Sequence, residues 1–178
     1  MNLLLHICCG PCTTYPFKTL TAEGHTIQGY FHNPNIHPYR EFQRRISALE
    51  EFCRQTGMEV EYDREYGLKE YLRKVVFNEE NRCRTCYEMR LAETARKAAT
   101  IGADAFSTTL LYSRFQKHDR IREIGEKMAS EYGVSFYYRD FREGWREGID
   151  LAIERGLYRQ PYCGCIYSEQ ERYEKRAG

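Results

Sequence analysis

Long hydrophobic runs are absent from this 178-residue sequence, and so is an excess of charge of either sign. No apolar run approaches the ~20 residues that a membrane-spanning helix requires, so we expect no such helix. The opening residues Met-Asn-Leu-Leu-Leu-His lack the basic head and the cleavage site of a secretory signal peptide. We therefore expect a cytoplasmic protein with no membrane partner.

The charge balance excludes a globally basic nucleic-acid-binding protein, because 27 Lys and Arg residues oppose 26 Asp and Glu residues and leave a net charge of +1. The cations are nevertheless biased towards arginine, with 20 Arg and 7 Lys. An arginine side chain binds phosphate through a planar fork, so a local basic face for nucleic acid stays open, with surface ion pairing as the alternative. Internal repeats and low-complexity linkers are also missing, and we predict a single domain over residues 1–178.

Short apolar runs alternate with helical patterns through the first 140 residues, which form the predicted core. The apolar runs predict five strands, at 3–7, 26–31, 58–62, 104–109 and 134–138. Helices are predicted between them, the first at about 14–23. Strands that alternate with helices form a parallel sheet covered on both faces, so we predict an α/β fold with a mainly parallel five-stranded sheet that binds ligands beyond the carboxyl ends of its strands. After Asp140 the alternation stops, and 141–178 form a predicted helical and loop extension with one helix at 145–154.

Eight cysteines are many for a cytoplasmic protein, because reducing conditions disfavour structural disulfides. Seven of them form three clusters: Cys8-Cys9-Gly10-Pro11-Cys12, Cys83-Arg84-Thr85-Cys86 and Cys163-Gly164-Cys165. Cys53 stands alone on the apolar stripe of a predicted helix and is interpreted as a core thiol. The clusters therefore indicate metal binding or redox chemistry.

The first two clusters contain the C-x-x-C pairs of a metal site. A zinc ribbon keeps its two pairs about 15–20 residues apart, whereas these pairs are distant in the chain and have to meet through the fold. Four such thiolates would satisfy a [4Fe–4S] cluster. We favour Cys9, Cys12, Cys83 and Cys86 as its ligands, with Cys8 as the main substitute for either of the first two. A structural zinc site and scattered buried thiols are the alternatives.

The third cluster, Cys163-Gly164-Cys165, is interpreted as a redox pair. Its glycine allows the backbone to contract enough for the two sulfur atoms to approach each other. An extended i, i+2 pair spans about 7 Å between Cα atoms, at the outer limit for a disulfide, so a disulfide here would be strained and easily reduced. The alternative left open is that both thiols bind a second metal ion, such as a mononuclear iron.

Polar side chains follow the second, fourth and fifth predicted strands, at the ligand-binding edge of the sheet. His32 and Asp140 are candidate catalytic acids for proton transfer. The other polar groups are candidate contacts to a sugar, base or phosphate of a substrate: Asn33, Asn35, Thr108, Thr109, Ser113, Gln116, His118 and Arg142. Helix capping, and a structural ion pair between Asp140 and Arg142, are the alternatives.

The sequence closely resembles the cobalamin-independent epoxyqueuosine reductases of the QueH family. Five segments carry the resemblance, in this order: LLLHICCGPCTT, FHNPNIHP, RCRTCYEMRL, FSTTLLYSRFQKH and YRQPYCGCIYS. The resemblance covers nearly the whole chain, and CCGPC, RCxxC and YCGC are all intact. Cys53 and the charged tail lie outside these motifs and inherit no role.

The resemblance implies an enzyme with a Rossmann-like (HUP-like) three-layer core that reduces epoxyqueuosine at the tRNA wobble position, converting an epoxide to an alkene. It implies a [4Fe–4S] cluster and no cobalamin. The residues that inherit roles are Cys8, Cys9, Cys12, Cys83 and Cys86 for the cluster, and Cys163 and Cys165 for redox work. The implied partners are the tRNA anticodon loop carrying epoxyqueuosine and an external electron donor.

RNA of this kind needs phosphate contacts and stacking surfaces from the protein. Cations near the proposed site predict salt-sensitive tRNA binding: Arg40, Arg44, Arg82, Arg84, Arg114, Lys117 and Arg120. Candidate stacking residues are Tyr30, Tyr137, Tyr138, Tyr158 and Tyr162, although core tyrosines are equally common.

We hypothesise that an iron site binds the epoxide oxygen, that the cluster and the Cys163/Cys165 pair supply electrons, and that His32 or Asp140 handles protons. Two other functions stay open. An iron–sulfur tRNA sulfurtransferase of the same fold class would need an ATP-binding Ser-Gly-Gly-x-Asp-Ser loop, where this sequence has Cys-Cys-Gly-Pro-Cys. A non-enzymatic metal- or redox-sensing module that binds RNA would have no need of the third cysteine cluster.

Overall fold

The structure, a computed structural model, describes residues 1–174. Within this range the strands are β1 (Asn2–His6), β2 (Thr26–Phe31), β3 (Val60–Tyr62), β4 (Ala105–Thr108) and β5 (Ser135–Phe136). The α-helices are α1 (Gly10–Ala22), α2 (Tyr39–Thr56), α3 (Leu68–Val75), α4 (Arg82–Ile101), α5 (His118–Tyr132), α6 (Trp145–Glu154) and α7 (Ile166–Tyr173). None of these helices in residues 1–174 is long and apolar enough to cross a membrane.

The strands form one parallel sheet in the order β3-β2-β1-β4-β5. β1 lies at its centre and pairs Leu5 with Gly29 of β2 on one side and with Ser107 of β4 on the other. The apolar run of β1 is fully buried, as a parallel sheet with helices on both faces requires. The predicted α/β fold with a parallel five-stranded sheet is therefore confirmed.

Helices cover both faces of this sheet. α1 packs against α2 and α6 on one face, while α4 packs against α3 and α5 on the other and contacts β1 and β4 directly. This arrangement is consistent with the Rossmann-like three-layer core that the resemblance implied. Because all five strands are parallel, their carboxyl ends meet at one edge, where connections lead from β1 to α1 and from β4 to α5.

The first helix begins four residues earlier than predicted, at Gly10 rather than near Thr14. A Gly-Pro pair resembles a loop in the sequence, but proline is compatible with the first turn of a helix, where an N–H group has no partner to lose. Glycine is required at position 10 because α1 and α2 approach closely: a Cβ atom there would lie 2.5 Å from the backbone oxygen of Ala48. Cys12 therefore lies on the first turn of a helix instead of in a loop.

The C-terminal extension contains more helix than predicted. α6 has the predicted bounds and packs against α1. The sequence predicts loop and charged tail over 166–173, but this segment forms α7. Residues 175–178 of the predicted extension lie outside the described residues.

Candidate functional site

A cavity of about 530 Å³ opens at the carboxyl edge of the sheet. Three segments that are remote in sequence supply cysteines to its lining: the β1–α1 connection, the start of α4, and the loop 163–165 before α7, which we name the CGC loop. The lining cysteines are Cys8, Cys12, Cys83, Cys86, Cys163 and Cys165. The fold therefore brings all three predicted clusters together at one site.

Three sulfur atoms form a compact group where β1 leads into α1. Cys8 and Cys9 occupy the short connection, and Cys12 lies on the first helical turn. Their sulfur atoms lie within 4.8 Å of one another, and all three side chains are buried. Hydrogen bonds from Cys12 and Cys9 lower the pKa of Cys8, while burial raises the pKa of Cys9. A thiolate supported by two neighbouring thiols is a suitable donor set for a soft metal ion.

The second thiol pair lies on the first two turns of α4. Cys83 and Cys86 are three positions apart and therefore share one face of the helix. Burial raises the pKa of Cys86 to about 12. Arg90 follows one turn later, and its Nη1 donates a hydrogen bond to Cys86 Sγ at 3.5 Å. The helix thus presents two thiols and a cation on the same side.

The guanidinium group of Arg90 is a buried cation, only 1% exposed. Its Nε and Nη2 donate to Asn33 Oδ1 at 3.1 and 2.6 Å, and no carboxylate within residues 1–174 pairs with it. The nearby groups that can carry negative charge are Cys86, Cys8 and Cys163. Because a buried cation without an anionic partner is strongly destabilising, the site favours thiolates or a thiolate-bound metal around Arg90.

The CGC loop is anchored by Arg45 of α2, which is 1% exposed. Its Nη1 donates to the carbonyl oxygen of Cys163 at 2.7 Å, and its Nη2 donates to that of Tyr162 at 2.9 Å. Its Nε donates to Glu41 Oε1 at 2.8 Å, so a buried ion pair fixes the loop to the helix. Both cysteines of the loop are free thiols, with Cys163 exposed and Cys165 buried.

The connection between β4 and α5 orients the sulfur atom of Cys163. Gln116 accepts a hydrogen bond from the Tyr87 hydroxyl at 2.7 Å, and its own Nε2 donates to Cys163 Sγ at 3.1 Å. The Tyr87 hydroxyl also accepts from the backbone N–H of Lys117 at 3.2 Å. The exposed thiol of Cys163 is therefore held by the side-chain amide of Gln116, whose oxygen is fixed by the Tyr87 hydroxyl.

The structure places some of the predicted polar residues at the cavity and others away from it. Those that line the cavity are Asn35, Thr109, Ser113 and Gln116. Predicted residues outside its described lining are Cys9, His32, Asn33, Thr108, His118, Asp140 and Arg142. Asn33 still contributes indirectly, because it holds Arg90. The roles assigned to the residues of the second group stay predictions.

The two candidate acids are engaged by other side chains. His32 Nδ1 lies 2.7 Å from Asp63 Oδ2, and its ring stacks on Tyr30. Hydrogen bonds from Arg142 lower the pKa of Asp140 to about 2. Asp140 therefore forms the ion pair with Arg142 that was the alternative, and its role in proton transfer stays a prediction.

Several cavity residues were not predicted from the sequence: Tyr71, Arg90, Phe115 and Trp145. Arg90 could have been found, because it follows Cys86 by four positions and shares its helical face. The Tyr71 hydroxyl is buried and has no hydrogen-bond partner within residues 1–174. Its position, like that of Phe115 beside Trp145, depends on contacts between remote segments and leaves no local pattern in the sequence.

Comparison with known proteins gives consistent matches over nearly the whole chain. A family model described as "Epoxyqueuosine reductase QueH" matches residues 3–171, a range that includes all three cysteine clusters. A protein of that name from Dehalococcoides mccartyi is 42% identical over 174 residues, which cover 98% of this chain and 96% of that protein. The Thermotoga maritima protein of the same name is 36% identical over 187 residues, with 99% and 94% covered. The Streptococcus pyogenes one is 35% identical over 179 residues, with 94% and 70% covered.

Proposed function

Because this chain belongs to the QueH family of epoxyqueuosine reductases, we propose that it reduces epoxyqueuosine in a tRNA anticodon loop to queuosine. The observation that carries the proposal is the convergence of three cysteine clusters on one cavity. Removing the oxygen of an epoxide to leave an alkene needs two electrons and two protons, and thiols can deliver both. The reaction takes place in the cytoplasm and draws on an external electron donor.

A [4Fe–4S] cluster held by Cys83 and Cys86, together with two of Cys8, Cys9 and Cys12, is the cofactor we propose. The residues fit such a group, because three buried sulfur atoms lie within 4.8 Å of one another and the buried Arg90 cation lacks a carboxylate within residues 1–174. When bound, a cluster of this kind supplies electrons one at a time. The first group has one thiol more than the cluster needs, and Cys8 and Cys12, unlike Cys9, line the cavity.

The electron pair for the epoxide comes, in this proposal, from the dithiol of the CGC loop. Oxidation of Cys163 and Cys165 to a disulfide releases two electrons and two protons. The epoxide takes up both pairs: its two C–O bonds break, a C=C bond forms and the oxygen leaves as water. The external donor then reduces the disulfide back to the dithiol. The alternative is that these thiols bind a second metal ion instead.

The surrounding residues support this division of work. Both cysteines line the cavity, but Cys163 is exposed, so its sulfur atom is accessible to a substrate, whereas Cys165 is buried. Gln116 orients the Cys163 sulfur atom, and Arg45 fixes the backbone of the loop. Because the dithiol itself provides two protons, the route needs none from Asp140.

The test is the conversion of epoxyqueuosine-containing RNA by anaerobically prepared protein with a chemical reductant, followed by mass spectrometry of the released nucleosides. We expect a product lighter by one oxygen atom. Cys163→Ser should lose this conversion and keep the visible spectrum of the cluster. Cys53→Ser is the matched control, because Cys53 is a half-buried thiol beside the Tyr62 hydroxyl and outside the cavity lining.

Two outcomes would contradict the proposal at different levels. Full turnover by Cys163→Ser with an intact cluster would discard the dithiol step. Unchanged RNA after incubation with the cluster-loaded, reduced parent protein would discard the reductase function itself.

A further inference from the structure

An aromatic edge at the mouth of the cavity is left open by the fold. Phe115 is 83% exposed, and its ring meets that of Trp145 edge-on at a centroid distance of 5.7 Å. Trp145 in turn lies 5.1 Å from the ring of Tyr112, which is buried beneath it. All three residues line the cavity. We name Phe115 and Trp145 the aromatic edge; its continuity with the thiol-lined cavity indicates a surface for part of the same ligand.

The loop that presents Phe115 is fixed rather than free. The backbone N–H of Phe115 donates to Ser113 Oγ at 3.2 Å. The next residue, Gln116, is bonded to the Tyr87 hydroxyl and to Cys163 Sγ. A ligand that contacts this ring therefore does not have to order the loop first, and more of the contact energy remains as affinity.

Cations without partners lie beside the aromatic edge. Arg114, Lys117 and Arg159 are exposed, and none of them pairs with a carboxylate in the part of the chain that the structure describes. Other cations predicted to contact phosphates are paired with glutamates of the protein itself: Arg82, Arg84 and Arg120. Arg40 and Arg44 are also exposed without a carboxylate partner in residues 1–174, but they lie on α2. Arg114, Lys117 and Arg159 are therefore the unpaired cations beside Phe115, where they are available for an anionic backbone.

We propose that Phe115 and Trp145 stack a nucleobase next to the nucleoside in the cavity, while Arg114, Lys117 and Arg159 contact the neighbouring phosphates. This inference rests on the proposed function, which makes RNA the substrate. It adds the residues that distinguish a single-stranded loop from a duplex. Unpaired bases of a loop can splay out onto an aromatic ring, whereas bases within a duplex are already stacked on each other. The aromatic edge therefore selects the loop, and the cations bind either kind of RNA.

Trp145 makes this proposal directly measurable, because it is the single tryptophan of the chain. Titration with an anticodon stem–loop RNA should quench its fluorescence. Loss of one stacked base corresponds to about 1–3 kcal/mol, so Phe115→Ala should weaken binding by about 5- to 150-fold, and Phe115→Tyr should retain it. Phe77→Ala is the matched control, because Phe77 is 97% exposed but lies outside the cavity lining, and we expect unchanged binding.

A fully paired RNA of equal length is the second probe. The parent protein should bind this duplex more weakly than it binds the stem–loop. Phe115→Ala should bind the duplex with the same affinity as the parent does, and added salt should weaken the binding of both proteins. Equal binding of the stem–loop by the parent and Phe115→Ala, or an equal loss with both RNAs, would overturn the stacking role. The titration needs no turnover, so a loop-specific effect of Phe115→Ala in a protein that reduces no epoxyqueuosine would support this inference while refuting the proposed function.

Discussion

Replacing Arg45 with methionine should weaken both the stability of the protein and the order of the CGC loop. Methionine has a similar length and lacks the charge and the donors of arginine. The substitution removes the hydrogen bonds to the carbonyl oxygens of Cys163 and Tyr162. It also leaves the buried carboxylate of Glu41 without its cation, since the Nε contact at 2.8 Å is lost.

The magnitude follows from these contacts. Each hydrogen bond from a charged donor contributes about 1.5–3 kcal/mol, and a buried charge that loses its partner costs about 3–5 kcal/mol. The losses overlap because a single substitution causes them all, so we expect the free energy of unfolding to fall by about 3–5 kcal/mol. That is a large fraction of the 5–15 kcal/mol, roughly, that stabilises a typical domain.

Two measurements separate the effect of the unpaired Glu41 carboxylate on stability from the effect of the lost hydrogen bonds on the order of the CGC loop. Urea unfolding followed by Trp145 fluorescence gives the free energy, and hydrogen–deuterium exchange reports the amide of His37, which donates to the carbonyl oxygen of Gly164 in the CGC loop. The double variant Glu41→Gln/Arg45→Met removes the stranded charge and still offers an acceptor to Tyr158. It should regain part of the stability but retain the fast exchange at His37.

The anchoring role of Arg45 would be refuted by a loss of less than about 0.5 kcal/mol, a value within the range of ordinary surface substitutions. It would equally be refuted by unchanged exchange at His37 in both variants. In that case the ion pair would stabilise α2 alone, and the CGC loop would be held by other contacts.

Two further predictions concern stability. Burial lowers the pKa of His6 to about 3, well below the ordinary histidine value of about 6.5. Between these two values the unfolded chain binds a proton that the folded protein does not. The free energy of unfolding therefore falls with falling pH, by about 1.4 kcal/mol per pH unit from this group. Urea unfolding across that window should show a slope smaller by this amount in His6→Gln, and an identical slope would contradict the prediction. Gly10→Ala places a Cβ atom 2.5 Å from the Ala48 oxygen, so α1 and α2 have to move apart at a cost of about 1–3 kcal/mol; an unchanged melting temperature would show that the contact relaxes freely.

The architecture could be predicted from the sequence because buried parallel strands consist of continuous runs of apolar residues. The run at the start of the chain forms the central strand β1, and the bounds of α6 agree with its helical pattern. Errors arose where a local pattern has two structural meanings. Gly10-Pro11 is compatible with a loop and with a helix start, and the close contact with Ala48 that favours the helix becomes visible only in the folded chain.

The convergence of cysteines was also predictable, because thiol spacing indicates metal chemistry wherever the clusters lie in the chain. The contacts that position the residues of the site were harder to predict from the sequence. Arg45 contacts Cys163 across 118 sequence positions, and the His32–Asp63 contact joins β2 to the segment after β3. Such pairings depend on how helices and loops meet at the sheet edge, and neither spacing nor hydropathy encodes them.

Chemical analysis of iron and acid-labile sulfide in anaerobically purified protein shows whether the distant cysteines build one iron–sulfur centre. We expect about four iron and four sulfide per chain with a broad visible absorption, and loss of all three in Cys86→Ser. Colourless, iron-poor parent protein, or a Cys86→Ser variant that retains the full iron content, would contradict this expectation.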